Sequence, residues 1–294
     1  MHGRDPAART SPRDYGLTAR LACLYLLRVS RLFSFIALSL GLAVSASAQT
    51  RPLLTEEAET APAGTVVLEV GLDAIKSQPN FLTGRQRDRY DGPVLRAIFS
   101  PANNVEMDVE WATRVGVIHD PDFGSVSDFG DVTLRAKVRL LVAPDSRWAL
   151  GVRFGVTLPE TRYDKGLGPN ALRMSAQMLA SYHAGVTTLH ADAGLGIHDE
   201  IDFPPAQQDF LAYGLAASRP VREHLAVVAE VAGLLGPSVP GVEAHSEARL
   251  GVRLTRAHLT GDLALRRGLA HADGSWGLSF GVSLRPRSSG AAPR

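Results

Sequence analysis

This chain of 294 residues has a single cysteine, Cys23, and almost no net charge, with a formal value of +1 at pH 7. One cysteine cannot form a disulfide within the chain, so a fold built on a disulfide framework is excluded. Basic patches with interleaved aromatic residues are also missing. Without a basic surface to contact phosphates, nucleic acid is not an expected partner.

Long apolar runs are missing as well, with one exception near the N-terminus. Residues 32–44 are mostly apolar, and they follow Arg28 and Arg31 and precede an Ala-Ser-Ala sequence. This order predicts a secretory signal peptide with a long n-region over residues 1–48, cleaved before Gln49. A transmembrane anchor would need a longer run, of about twenty residues. Cleavage would also remove the cysteine.

Two segments alternate between apolar and polar residues with a period of two. From Val105 to Val117 the odd positions are almost all apolar, and from Val132 to Val142 the even positions are apolar. This period is typical of a β-strand with one apolar face. Each segment has about a dozen residues, whereas strands of soluble proteins usually have about 5–6. A tilted strand of about 9–11 residues crosses a bilayer core, so the two segments predict a hairpin of a transmembrane β-barrel.

The same alternation recurs along the chain and predicts twelve strands. They span residues 65–75, 93–100, 105–117, 132–142, 148–158, 171–183, 187–198, 208–218, 224–235, 244–255, 258–267 and 276–284. Long and short connections alternate, as in barrels that have long outer loops, short periplasmic turns and both termini in the periplasm. With the apolar faces outward, nearly all charges on the strands face the lumen. We therefore predict an all-β fold, a transmembrane up-and-down antiparallel β-barrel of about twelve strands.

The remaining parts of the chain flank this barrel. The sequence predicts a polar, proline-containing periplasmic lead-in over residues 49–63, the barrel over 64–286 and a polar tail over 287–294. The tail replaces the terminal aromatic residue that an ordinary barrel-assembly signal would have at this end.

Charged residues of the predicted hairpin are the candidates for a lumen or constriction site. The third strand is mainly acidic and the fourth mainly basic, so Asp108 is expected opposite Arg139 and Glu110 opposite Lys137. The charges either form a polarised constriction that selects small charged or zwitterionic solutes, or they pair to fill and brace the lumen. The candidate residues are Glu106, Asp108, Glu110, Arg114, Arg135, Lys137, Arg139 and Arg153.

The sequence contains no pattern that indicates catalysis, a metal site or a cofactor. A lipid hydrolase on a barrel would need Ser and His two residues apart on one strand face, but no His-x-Ser occurs and the adjacent His245 and Ser246 fall on opposite faces. No helix is predicted after Gly166-Leu-Gly168, so it is not a phosphate-binding loop. We expect no catalytic residue, no metal and no cofactor. Six histidines face inward at different heights, namely His183, His190, His198, His224, His245 and His258.

Two stretches carry a resemblance to a known family. They are Gly130-Asp-Val-Thr-Leu-Arg-Ala-Lys-Val-Arg-Leu-Leu, after the acidic strand, and Gly155-Val-Thr-Leu-Pro-Glu-Thr with the glycine-rich loop that follows. They resemble the outer-membrane proteins grouped as "MetA-pathway of phenol degradation", over roughly residues 64–285. The resemblance implies an outer-membrane transporter or channel, sometimes associated with aromatic or hydrophobic substrates, and it supplies no catalytic residues.

The expected function is therefore passive uptake of small molecules through an outer-membrane channel. Its expected partners are small-molecule solutes, outer-membrane lipid and the barrel-assembly machinery. Twelve strands lie between small filled barrels and the open porins of 16–18 strands, so the conductance should be small. Two alternatives remain open: an outer-membrane lipid hydrolase, and a closed barrel that serves structure or surface interaction.

Overall fold

The computed structural model describes residues 51–143, 145, 147–199, 207–236 and 241–285. These residues form an antiparallel all-β structure with one short 3-10 turn, Tyr163–Lys165. Within the described ranges, no helix is long and apolar enough to cross a membrane. The predicted signal peptide and polar tail lie outside the described residues.

Fourteen strands follow one another along the described chain. They are β1 Val66–Pro79, β2 Gln86–Ala102, β3 Val105–Ala112, β4 Val115–Asp120, β5 Gly124–Asp128, β6 Val132–Val142, β7 Trp148–Leu158, β8 Arg173–Ala184, β9 Thr187–Asp199, β10 Gln207–Arg222, β11 Leu225–Leu235, β12 His245–Arg256, β13 Leu259–Gly268 and β14 Trp276–Leu284. The bounds of β6, β7 and β14 are those that the alternation predicts.

Twelve of these strands close into a barrel. Each strand of the ring pairs with its neighbour in antiparallel orientation, and β14 pairs with β1 to complete the circle. The ring passes from β3 directly to β6, because β4 continues along β2 and β5 pairs with β4 outside the ring. Short turns such as Asn103-Asn104 alternate with long connections. The predicted antiparallel barrel of twelve strands is confirmed.

Large apolar side chains face outward from the barrel. Met107 and Val109 on β3 are 54% and 48% exposed, and Leu215 on β10 is 64% exposed. The intervening residues Glu106 and Asp108 are buried. A continuous apolar surface of this kind is typical of contact with lipid, and side chains of alternating polarity divide between lipid and lumen. The predicted phase of β3 is confirmed.

The predicted phase is wrong beyond the end of β3. Val115 and Val117, predicted on the lipid face, are buried in the interior with Leu167. The register between β1 and β2 shifts beside Gly92-Pro93, where proline has no N–H to donate. The segment that pairs with β2 on its other side is interrupted at the same place, between the end of β3 and the start of β4. A slip of one residue exchanges the two faces of a strand, so β4 turns its apolar side chains inward.

Residues 51–62 lie inside the barrel, although the sequence predicts a periplasmic lead-in over 49–63; we call 51–62 the inner segment. It lies close to the short-turn end, where Thr60 Oγ1 donates to the carbonyl oxygen of Asn103 at 2.6 Å. Most of its residues are buried, and Ala58 is fully so. The prediction of a lead-in is therefore corrected.

The inner segment contacts one strand of the ring after another. Its backbone N–H groups donate to side-chain oxygens, and Arg249 donates to one of its carbonyl oxygens. The contacts are Ala61 N to Glu106 on β3 at 2.6 Å, Ala58 N to Ser181 on β8 at 2.9 Å, Thr55 N to Glu230 on β11 at 2.9 Å, and Arg249 on β12 to Pro52 O at 2.7 Å. The barrel wall thus supplies hydrogen-bond partners that this irregular segment cannot find within itself.

Candidate lumen site

A carboxylate from the inner segment is the hub of the charged cluster in the lumen. Glu56 Oε2 lies 2.7 Å from an Arg153 guanidinium nitrogen and 3.5 Å from one of Arg96, and Oε1 lies 3.4 Å from Lys137 Nζ. Its backbone N–H donates to Asp192 Oδ2 at 3.2 Å. The three cations belong to β7, β2 and β6. One carboxylate therefore links the inner segment to three strands of the wall.

Glu56 is ionised at neutral pH despite its burial. Burial by itself would raise the pKa of this carboxyl group, because desolvation disfavours the charged form. The neighbouring Lys137, Arg96 and Arg153 outweigh that effect and hold the pKa of Glu56 well below its usual range. Glu56 is part of the inner segment and not of a membrane-spanning strand. A charged Glu56 can therefore neutralise the cations of the wall around it.

The predicted pairing of acidic β3 with basic β6 is present, but the register is wrong by four residues. The sequence predicted Asp108 opposite Arg139 and Glu110 opposite Lys137. A shift by an even number of residues keeps every side chain on its own face, so alternation cannot distinguish the two registers. The observed partners are Asp108 with Arg135, Glu110 with Thr133 and Glu106 with Lys137.

The observed register produces a chain of ion pairs across three strands. The pairs are Lys137 to Glu106 at 2.6 Å, Arg135 to Asp108 at 2.8 Å, Arg135 to Glu110 at 2.9 Å and Arg96 to Asp108 at 2.9 Å. The Lys137–Glu106 pair is almost fully buried. Removing one partner of such a pair typically costs about 3–5 kcal/mol, because the other charge is left uncompensated. The geometry thus favours charges that brace this part of the lumen.

Two of the predicted site residues lie away from this cluster. Arg114, just after β3, is exposed and donates to Ser127 Oγ at 2.8 Å. Arg139 donates to the carbonyl oxygen of Asn103 in a short turn at 2.9 Å. Alternation assigns a side chain to a face of the sheet but does not give its height along the barrel axis. Arg114 and Arg139 therefore do not join the ion-pair cluster that the other predicted residues form.

Sequence reasoning missed the most connected residue of the cluster. Glu56 lies in a segment with no period-two pattern, so nothing in the alternation assigns it to the lumen. Arg96 was predicted to face inward but was not selected as a site residue, although it contacts both Glu56 and Asp108. The other predicted residues, including Arg153, do join the cluster.

Two adjoining cavities occupy the lumen between the inner segment and the long connections. The first has a volume of about 590 Å³, and the inner segment borders it through Arg51, Leu53, Leu54 and Glu56. The second, of about 580 Å³, lies toward the long connections. Both are lined by Arg173 and His198, among others, so the two spaces are neighbours. Both arginines and carboxylates line the first cavity, so its wall carries charges of both signs.

A Ser–His pair within hydrogen-bonding distance exists, as a hydrolase would require. Ser181 Oγ lies 3.0 Å from His190 Nδ1. The serine is only 1% exposed, and its oxygen accepts the N–H of Ala58. The pair faces the inner segment and not the lipid, so its position does not suit an attack on a membrane lipid.

Comparison with known proteins gives the fold. No family model matches the chain, and no curated protein sequence matches it. Among solved structures, the NanC porin is similar with a TM-score of 0.50 at 8% identity, over 74% of this chain and 98% of that one. The translocator domain of the autotransporter NalP from Neisseria meningitidis is similar with a TM-score of 0.50 at 13% identity, over 75% and 88%. This chain has the fold of an outer-membrane β-barrel. At these identities the likeness extends to the fold alone.

Proposed function

We propose that the protein is a passive channel for the uptake of small solutes across an outer membrane, narrowed at one end by the inner segment. The supporting observation is the pair of adjoining cavities of about 590 and 580 Å³ within the barrel. The charged side chains of their lining suit solutes that travel with some of their water, whereas the outer face suits lipid. On this proposal the mature chain begins at Gln49 and is inserted into the outer membrane by the barrel-assembly machinery.

The solutes that we propose are small aromatic molecules with a polar or charged group. The first cavity has the size of common small-molecule sites, which span about 300–1,000 Å³. Arg135 and Arg153, which also pair with carboxylates of the protein, place positive charge on the lining that attracts a solute carboxylate, and Tyr213 adds an aromatic ring. The resemblance to the "MetA-pathway of phenol degradation" proteins agrees with this class of solute.

The other two functions are less well supported by the site. The Ser181–His190 pair, which a lipid hydrolase would need to expose, is covered by the inner segment. A closed barrel that serves structure or surface interaction would also contain a braced lumen, and only conductance separates it from a channel.

Single-channel recording in planar bilayers tests the proposal with three proteins. We expect a small conductance from the wild type and a larger one from Glu56→Gln, because the neutral amide weakens the link from the inner segment to Arg96, Lys137 and Arg153. The current through Glu56→Gln should also become more anion-selective. Glu223→Gln is the matched control, because this carboxylate is exposed in a short turn.

A fourth protein, which lacks residues 51–62, decides between a channel and a closed barrel. Its ring of strands is complete without the inner segment, so a channel should conduct most in this form. Benzoate should reduce its current more than acetate does if aromatic acids are the solutes. Absence of current from both the wild type and the shortened protein would refute the channel.

A further inference from the structure

A second cluster joins the inner segment to the wall, at Glu57, Glu59 and His190. One oxygen or nitrogen atom from each residue lies within 4.8 Å of the others. His190, on β9, is 8% exposed, and the two glutamates are partly buried. The cluster thus combines two carboxylates of the inner segment with one imidazole of the barrel in a largely enclosed place.

Neighbouring side chains orient the imidazole for a ligand. His190 Nδ1 lies 3.0 Å from Ser181 Oγ, which is itself fixed by the N–H of Ala58. Metal-binding histidines commonly donate one ring N–H to such an outer partner and bind the metal through the other nitrogen. The contact with Ser181 therefore leaves Nε2 as the ring nitrogen of His190 that can bind a metal.

One carboxylate oxygen of the cluster has no partner within the described chain. Glu59 Oε1 is held by His183 Nε2 at 2.9 Å, whereas Glu59 Oε2 is buried and accepts no hydrogen bond from any described residue. A buried polar atom without a partner is costly and calls for an explanation such as a bound ion. Here the open oxygen shares a small space with a second carboxylate and an imidazole.

We propose that Glu57, Glu59 and His190 bind a divalent transition-metal ion of the Zn²⁺ class, which fastens the inner segment to β9. Imidazole nitrogen and carboxylate oxygen are ligands that Zn²⁺ accepts, and three protein ligands leave a position for water. Ca²⁺ and Mg²⁺ prefer oxygen ligands alone, so the histidine disfavours them. The proposal rests on the position of the inner segment and not on the channel function.

Equilibrium dialysis of the purified, folded mature protein against ZnCl₂, after treatment with EDTA, tests the site. We expect one tightly bound Zn²⁺ per chain in the wild type. His190→Asn and Glu59→Gln should each weaken Zn²⁺ binding at least about tenfold. His224→Asn is the control, because this histidine is exposed at a turn of the same barrel end and should leave binding unchanged.

Folding of each variant is checked by its heat-dependent migration in SDS gels. If His190→Asn does not fold, Glu59→Gln decides, since the amide keeps the shape of the carboxylate. The proposal is overturned if the folded wild type binds no Zn²⁺, or if Glu59→Gln binds it as tightly as the wild type. Equal competition by Mg²⁺ or Ca²⁺ would overturn the transition-metal class. These measurements are made in detergent, so a protein that conducts nothing can still bind Zn²⁺.

Discussion

Glu56 Oε2 lies 2.7 Å from the Arg153 guanidinium, although the two residues are 97 positions apart in the sequence. The carboxylate belongs to the inner segment and the guanidinium to β7. Lys137 and Arg96 share the same carboxylate. The lumen of this barrel is therefore organised by a residue that is not part of any strand.

The first prediction compares two cations of β6. Lys137→Gln should lower the temperature of heat unfolding, because it removes a buried cation that lies 2.6 Å from Glu106 and 3.4 Å from Glu56. The cost should approach the roughly 3–5 kcal/mol of a broken buried pair. Arg139→Gln should change the temperature little, because Arg139 contacts a turn carbonyl. The loss of heat-resistant migration in SDS gels measures both, and equal shifts would contradict the assignment.

A second prediction concerns the side chains that face lipid and lumen on β3. Val109→Arg should destabilise the folded barrel by about 2–4 kcal/mol, the cost of an arginine near the middle of a bilayer. Glu110→Gln at the adjacent position should cost less, because Glu110 faces Arg135 in a partly exposed part of the lumen. Refolding into lipid vesicles with a urea titration measures both. A larger cost for Glu110→Gln would mean that the two faces are exchanged.

A third prediction concerns a buried ion pair in the extension where β4, which lies outside the ring, pairs with β2. Asp120 lies 3.0 Å from Arg87, and both side chains are almost fully buried. Burial by itself raises the pKa of Asp120, but N–H groups of Asp122 and Phe123 and the Arg87 guanidinium outweigh it, so the pKa is lowered. Asp120→Asn should therefore destabilise this extension at neutral pH.

The pH dependence of that effect follows from the sign of the shift. A carboxyl group with a lowered folded pKa contributes stability above its unfolded pKa of about 3.9, and the contribution is lost as the pH falls through the folded value. The difference in protease resistance between wild type and Asp120→Asn should thus be large at pH 7 and shrink below about pH 4. Asp145→Asn is the control, since its pair with Arg147 is exposed. A difference that grows on acidification would refute the prediction.

The fourth prediction concerns processing. The apolar run at 32–44 and the Ala-Ser-Ala sequence after it should direct export and cleavage, so that the mature protein begins at Gln49. Mass spectrometry of the protein isolated from outer membranes checks this directly. Retention of residues 30–48 would count against an exported barrel.

The amino-acid sequence determined the number of strands in the ring, most of their bounds and the face that most of their side chains occupy. These properties depend on an alternation that is local, and β6 shows it from Val132 to Arg139. The outward positions of Met107 and Val109 followed from the same pattern. It failed at Val115 and Val117, where the irregularity at Gly92-Pro93 in a neighbouring strand changed the phase.

The tertiary structure alone decided the register, the height of each charge and the position of the inner segment. A shift of the register by four residues leaves every side chain on the same face of the sheet. The alternation therefore allows Asp108 to lie opposite Arg139 or opposite Arg135. Glu56 lies in a segment without periodicity, and its partners come from strands far away in the sequence. Local alternation contains no information about such contacts, because they form only when the ring closes around the segment and desolvates its charges.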